Sequence, residues 1–171
     1  IQHTMITNIF QQIGRPALAI MAVSLASATM NAQTVRVSTD RTDLVMKVSP
    51  KGRLYQVYLG DKLNNAADYD RIAWNTYAAS DGAVSTRGHE VCAASGNEDY
   101  FEPAVAITHA DGNMTTYLRY KGVETKAVDG GTETIITLQD DKYPDTVKLH
   151  YVAYNKENVI KAWREISHNE K

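Results

Sequence analysis

The sequence predicts an all-β fold: an antiparallel β-sandwich of meandering hairpins, an incomplete supersandwich preceded by a signal-peptide helix. Three observations carry this. After Gln33, short runs of β-forming residues are punctuated by turn residues at intervals of about 8 to 15 positions. No helical period of any length follows that point. The chain also holds 10 Tyr against 2 Phe and 2 Trp, a balance that suits strands whose outer face is half wet.

Residues 1–32 form a separate unit. Ile1 to Thr4 precede the first Met and read as sequence upstream of the true start. Arg15 is the only charged side chain before Arg36. Ala17 to Ala28 is an uncharged, Ala-rich run, shorter than the roughly 20 residues a spanning helix needs. Small-residue exits follow at Ala26-Ser27-Ala28 and at Met30-Asn31-Ala32. A basic start, a short apolar run and a small-residue exit make an export signal. Cleavage is expected after Ala32, leaving a periplasmic or secreted protein from Gln33 onward with no membrane segment. No lipid-acceptor Cys lies near the cleavage point.

The expected strands of the second unit, residues 33–171, follow in order. Thr34 to Thr39 alternates. Asp43 to Ser49 and Arg53 to Leu59 are the arms of a hairpin around Pro50-Lys51-Gly52. From Gly60 to Asn97 the strand pattern fades into a long loop with Trp74 and Tyr77 as isolated aromatics, a kind of loop that is usually functional or disordered. Ala104 to His109 reads as a strand, and Asp111-Gly112-Asn113 as a turn. Thr115 to Val128 is a longer strand with a bulge expected at Gly122. Asp129-Gly130-Gly131 turns into Thr132 to Leu138, and Tyr143-Pro144-Asp145 into Thr146 to Tyr154. Asn155 to Asn158 then turns into Val159 to Ser167. In Thr146 to Tyr154, Val147, Leu149, Tyr151 and Ala153 share one face, while Lys148, His150 and Tyr154 share the other. The last strand should pair with something, so the sandwich is expected to continue past Lys171.

Composition excludes some functions. Net charge is −2, which gives no footprint for nucleic acid or anionic lipid. Cys92 is the single cysteine; it reads as a small buried apolar residue. Glu98, Asp99 and Glu102 cluster in a loop that fixes no carboxyl separation, so loop solvation is the expected role. His89, His109, His150 and His168 lack ligand spacing, and no metal is expected from them. His109 is expected to hydrogen-bond the Asp111-Gly112 turn backbone. Arg119, Lys121 and Lys126, diluted by Glu124, read as a solvated face. Asn113-Met114-Thr115 fits an N-glycosylation acceptor. No phosphate-binding loop, dinucleotide fingerprint or nucleophile elbow is present.

Four stretches, in order, resemble one known family. Gly52 to Gly60 (GRLYQVYLG) resembles a strand in the N-terminal domain of glycoside hydrolase family 36. Gly96 to Ala104 (GNEDYFEPA) is similar to that family's GxxDYREPAL-like stretch, with Phe101 where the family has Arg. His109 to Asn113 matches its HADGN turn. Glu157 to Ile160 and Trp163 to Ile166 resemble the strand leading on towards a barrel. Four ordered pieces are more specific than any one. The resemblance implies an α-galactosidase with an N-terminal β-sandwich, a central (β/α)₈ barrel and a small C-terminal β-domain. It would remove terminal α-galactose from oligosaccharides such as melibiose and raffinose with retention and without a cofactor. The two catalytic aspartates would stand on the barrel, the carboxyls ~5 Å apart as in retaining glycosidases. Neither would lie in this chain, so no catalytic residue is expected here.

In some family members a loop of the N-terminal domain reaches a neighbouring subunit's active site and contributes an Asp to galactose recognition. By position that loop corresponds to Asp68 to Tyr77. Asp70 is the matching acid, and Trp74 is placed to stack on a sugar. The resemblance thus implies a homo-oligomer, with this part giving structural and oligomer contacts. Two other readings compete: a free-standing carbohydrate-binding β-sandwich without catalysis, in which exposed aromatics stack on sugars, and a purely structural domain.

Overall fold

A computed structural model describes residues 33–72, 90–96 and 102–170. The expected signal helix, Trp74, Tyr77, Glu98 and Asp99 lie outside the described residues. Among the described residues, seven strands form two antiparallel sheets. The first sheet has the order β1 (Thr34–Ser38), β2 (Thr42–Val48), β3 (Leu54–Asp61). The second has the order β4 (Leu118–Val128), β5 (Gly131–Asp140), β6 (Thr146–Tyr154), β7 (Val159–Ser167). Within each sheet consecutive strands pair with one another, so each is a meander, as the turn spacing predicts.

The turns follow from their residues. The β2–β3 turn closes where Gly52 N–H donates to Ser49 O at 2.8 Å, with Gly52 at φ 76°. Gly supplies that positive φ without steric cost. Between β6 and β7, Asn158 holds φ 56°, which Asn tolerates better than most residues. Its Oδ1 accepts from the Thr39 hydroxyl at 2.5 Å, a bond from one sheet to the other.

The core lies between the sheets. Val35 and Val37 of β1 and Leu44, Met46 and Val48 of β2 face Ile136 and Leu138 of β5 and Val147, Leu149 and Ala153 of β6. Cys92, Ala94 and Val105 close one end of this core. Burial pushes the Cys92 thiol up to about 11, which keeps it protonated at neutral pH, as expected for a packing residue.

The structure departs from the sequence expectation at three places. Ala104 to His109 is not a strand: Val105 makes only an isolated bridge to Ala94. Among the described residues the segment pairs with Ala93–Ser95, through Ala104 N–H to Ala93 O at 2.8 Å and Ser95 N–H to Val105 O at 3.0 Å. With so short a partner no ladder propagates. β4 begins at Leu118 rather than Thr115, with its bulge beside Gly122 as expected: Tyr120 pairs with Leu138 and Gly122 with Thr137, so Lys121 is the extra residue. The third is a short helix, α1 (Ala66–Arg71), inside the long loop. Asn65 caps it, its side chain accepting from Ala67 N–H.

The outer face of the four-stranded sheet is less wet than its polar residues suggest. Glu133, Ile135, His150 and Val152 are all buried there, lying under longer neighbours such as Trp163. Among the described residues no helix is long and apolar enough to cross a membrane.

Candidate functional site

Two places concentrate polar chemistry on this scaffold. The first is α1, which carries Asp70. Lys47 on β2 is buried at 4% exposure, a costly place for an ammonium. It is satisfied by carbonyls at the helix end: Lys47 Nζ donates to Ile72 O at 2.7 Å and to Asp70 O at 3.3 Å. A cation there also suits the negative end of the helix. On the next turn inward, the Tyr69 hydroxyl donates to Asp43 Oδ2 at 2.6 Å, and Leu63 N–H donates to the same oxygen at 2.8 Å. Burial pushes the Asp43 carboxyl up, but hydrogen bonds from Ser38, Tyr69 and Leu63 and the charge of Lys62 outweigh it and hold it below its usual value. The Arg36 guanidinium lies 4.3 Å from the Tyr69 ring centroid. The helix is thus bolted to the sheet by Tyr69, while Asp70 beside it is exposed. The structure therefore presents Asp70 to solvent from a fixed mount.

The second place joins three distant parts of the chain. His109 opens a turn in which Gly112 N–H donates to His109 O and His109 N–H to Asn113 O, both at 2.8 Å. Gly112 sits at φ 81°. His109 thus hydrogen-bonds the Asp111-Gly112 turn through its backbone carbonyl; its side chain does not bond there. Instead the imidazole is buried. Nδ1 lies 2.6 Å from Glu170 Oε1 and 3.3 Å from Asp145 Oδ2. Nε2 lies 3.1 Å from Thr116 Oγ1. The ring stacks on Tyr143 with centroids 3.5 Å apart and planes 9° off parallel.

Three hydrogen-bonding residues hold this arrangement. Asp140, at the end of β5, accepts from Lys142 N–H and Tyr143 N–H, both at 2.7 Å, and from Tyr117 N–H, which fixes the β5–β6 loop. Tyr143 donates its hydroxyl to Asp111 Oδ2 at 2.8 Å. The Asn113 N–H and the Tyr143 hydroxyl bring the Asp111 carboxyl down to about 2. The Asn113 amide is engaged at both ends: Nδ2 donates to Tyr143 Oη and Oδ1 accepts from Thr115 N–H, each at 2.9 Å. Burial opposes a charge on His109, but Glu170 and Asp145 more than offset it and raise its pKa. Burial pushes the Asp145 carboxyl up, against the pull of His109. The backbone N–H of Ala110, then His109, hold Glu170 down.

These two places do not include every expected group. Glu102 is exposed. His150 is on the outer sheet face, its Nδ1 2.7 Å from Glu133 Oε1, and its ring is stacked 4.7 Å from Trp163. Arg119 pairs with Asp141 at 2.9 Å and Lys126 with Glu133 at 3.0 Å. Sequence reasoning missed Asp145 and Glu170. Asp145 showed only as part of a turn, and Glu170 lies 61 residues from His109 in sequence.

Residues 52–171 match the glycosyl hydrolase family 36 N-terminal domain. A search of curated proteins returned no match. Among solved structures, the family 36 α-galactosidase AgaA of Geobacillus stearothermophilus is similar at TM-score 0.65 and 21% identity, covering 81% of this chain and 22% of that one. A variant of that enzyme solved with raffinose is similar at TM-score 0.63 and 22% identity, with the same coverage. The α-galactosidase of Lactobacillus brevis is similar at TM-score 0.63 and 16% identity, covering 79% of this chain and 21% of that one. The chain thus spans about a fifth of the length of these solved enzymes.

Proposed function

The chain belongs to the glycosyl hydrolase family 36 N-terminal domain family, and on that premise we propose that it is the N-terminal sandwich of an exported α-galactosidase. The family match over residues 52–171 is the observation that carries this reading. In it, hydrolysis of terminal α-galactosides with retention belongs to a barrel outside this chain. The sandwich supplies structural and oligomer contacts, and its α1 loop shapes the substrate site of a neighbouring subunit. The fixed mount of α1 supports that role, because a recognition group gains from being held in place before substrate arrives. Asp70 hydrogen-bonds sugar hydroxyls there, and Trp74 stacks on the ring. Residues 1–32 direct export and are cleaved off in the course of it.

The test compares the full-length protein with residues 33–171 alone, on nitrophenyl α-galactoside and raffinose. The expected result is hydrolysis by the former only. In the full-length enzyme, Asp70→Ala raises KM roughly tenfold with a smaller change in kcat, in line with the loss of a hydrogen bond to a charged group. Peptide sequencing of the exported protein should begin at Gln33. Hydrolysis by residues 33–171, or a full-length protein inert towards α-galactosides, overturns the reading. The free-standing sugar-binding alternative draws on exposed aromatics, and Trp163 is one of them, a residue 40% exposed. Raffinose affinity in residues 33–171, lost on Trp163→Ala, would favour it.

A further inference from the structure

We propose that His109, Asp145 and Glu170 form a binding site for one divalent transition-metal ion of the zinc type. This inference is independent of the galactosidase reading. It rests on a buried carboxylate to which no described residue gives a hydrogen bond, with His109 Nδ1 3.3 Å away. Asp145 is fully buried, and neither of its carboxylate oxygens has a hydrogen-bond partner among the described residues. A buried carboxylate without partners is costly and is ordinarily paired or bound to a metal. One ligand atom each from Asp145, His109 and Glu170 lies within 4.8 Å of the others.

The surrounding bonds orient these atoms as metal ligands are oriented. Nδ1 faces both carboxylates and Nε2 lies 3.1 Å from Thr116 Oγ1, so loss of the Nδ1 proton on metal binding would leave a lone pair aimed into the cluster. Glu170 Oε2 is taken by Ala110 N–H at 2.5 Å, leaving Oε1 to the cluster. Such outer partners are what fix the tautomer and direction of metal-bound His and carboxylate groups. Tyr143 stacks on the imidazole and restricts its rotation.

Charge and distance agree. Once a metal displaces the protons, two carboxylates and a neutral imidazole present a charge of −2 to it, which a divalent ion cancels. In a tetrahedral site with bonds of ~2.1 Å, two ligand atoms stand roughly 3.4 Å apart. His109 Nδ1 and Asp145 Oδ2 already stand 3.3 Å apart. Glu170 Oε1, 2.6 Å from Nδ1, must withdraw by under an ångström; it is the least buried of the three, at 14% side-chain exposure. One imidazole with two carboxylates favours zinc over magnesium or calcium, which prefer all-oxygen sites.

The experiment is equilibrium dialysis of the chelator-treated full-length protein against Zn²⁺, with Mg²⁺ and Ca²⁺ as separate arms and bound metal read by mass spectrometry. Asp145→Asn and Glu170→Gln are compared with the parent. The expected result is one more Zn²⁺ per chain in the parent than in either variant at micromolar free zinc. Zinc should also raise the parent's melting temperature and not that of the variants. Affinity at least tenfold weaker in Glu170→Gln, which replaces a partly exposed group, supports the site even if Asp145→Asn fails to fold. Equal zinc occupancy in the parent and Glu170→Gln overturns the proposal, as does preference for Mg²⁺ or Ca²⁺ over Zn²⁺.

Discussion

Tyr69 donates a hydrogen bond from its hydroxyl to Asp43 across the outer face of the first sheet, 2.6 Å from oxygen to oxygen, and the exposed Asp70 is the next residue along. That adjacency separates two properties of one helix. Tyr69 and Lys47 decide where α1 sits, and Asp70 decides what it offers to solvent.

Substitutions at the two positions should therefore act differently. Tyr69→Phe removes a hydrogen bond to a buried carboxylate and should cost about 1.5–3 kcal/mol. Asp70→Asn touches only solvent and should change stability by less than about 0.5 kcal/mol. Urea denaturation of both variants measures the difference. Equal effects would mean that α1 does not depend on the Tyr69–Asp43 bond.

Two glycines with nearly the same backbone angle should respond differently to alanine. Gly96 holds φ 83° and Gly112 φ 81°. At Gly112 an added Cβ meets nothing within 4 Å, so Gly112→Ala should cost only the left-handed backbone term, about 1–2 kcal/mol. At Gly96 the same atom would lie 2.7 Å from the Thr115 Cα and 2.5 Å from its Oγ1. The neighbour is backbone and cannot swing aside, so Gly96→Ala should add a clash of roughly 1–3 kcal/mol to that term. Melting temperatures of the pair give the comparison, and a Gly96→Ala protein as stable as Gly112→Ala would contradict the close packing of the loop on Thr115.

The hairpins were legible because their evidence is local. Pro50-Lys51-Gly52, Asp129-Gly130 and Asn155 to Asn158 announce reversals, and β6 and β7 occupy the spans that their alternation predicts. Features set by tertiary contact were not legible. At 6 residues α1 is too short to show a helical period, and it persists because Lys47 and Asp43 reach it from β2. Ala104 to His109 has strand-like alternation, with Val105 and His109 both buried, but whether it pairs depends on the length of a partner elsewhere in the chain. The His109 cluster was illegible for the same reason. HADGN marked a turn, yet nothing near His109 in sequence reveals that Asp145 and Glu170 converge on its imidazole.

The outer face of the second sheet carries a pH-dependent contribution. Glu133 is buried and accepts from His150 Nδ1 at 2.7 Å, with Lys126 Nζ 3.0 Å from its other oxygen. The His150 and then the Lys126 hydrogen bonds hold its carboxyl below the usual value against the opposing effect of burial. A carboxyl depressed in the folded state contributes stability above its unfolded pKa, about 4.3, and loses that contribution as pH falls through the lower folded value. Glu133→Gln should thus melt below the parent at pH 7, and the gap should close as pH drops from about 4.3 towards 3. Added salt should narrow the neutral-pH gap only in part, because Lys126 is largely exposed and its pairing is screened, whereas the His150 bond is buried. Melting curves of both proteins across this range decide it. A gap of the same size at pH 7 and pH 3 would show that Glu133 acts there through shape alone and not through charge.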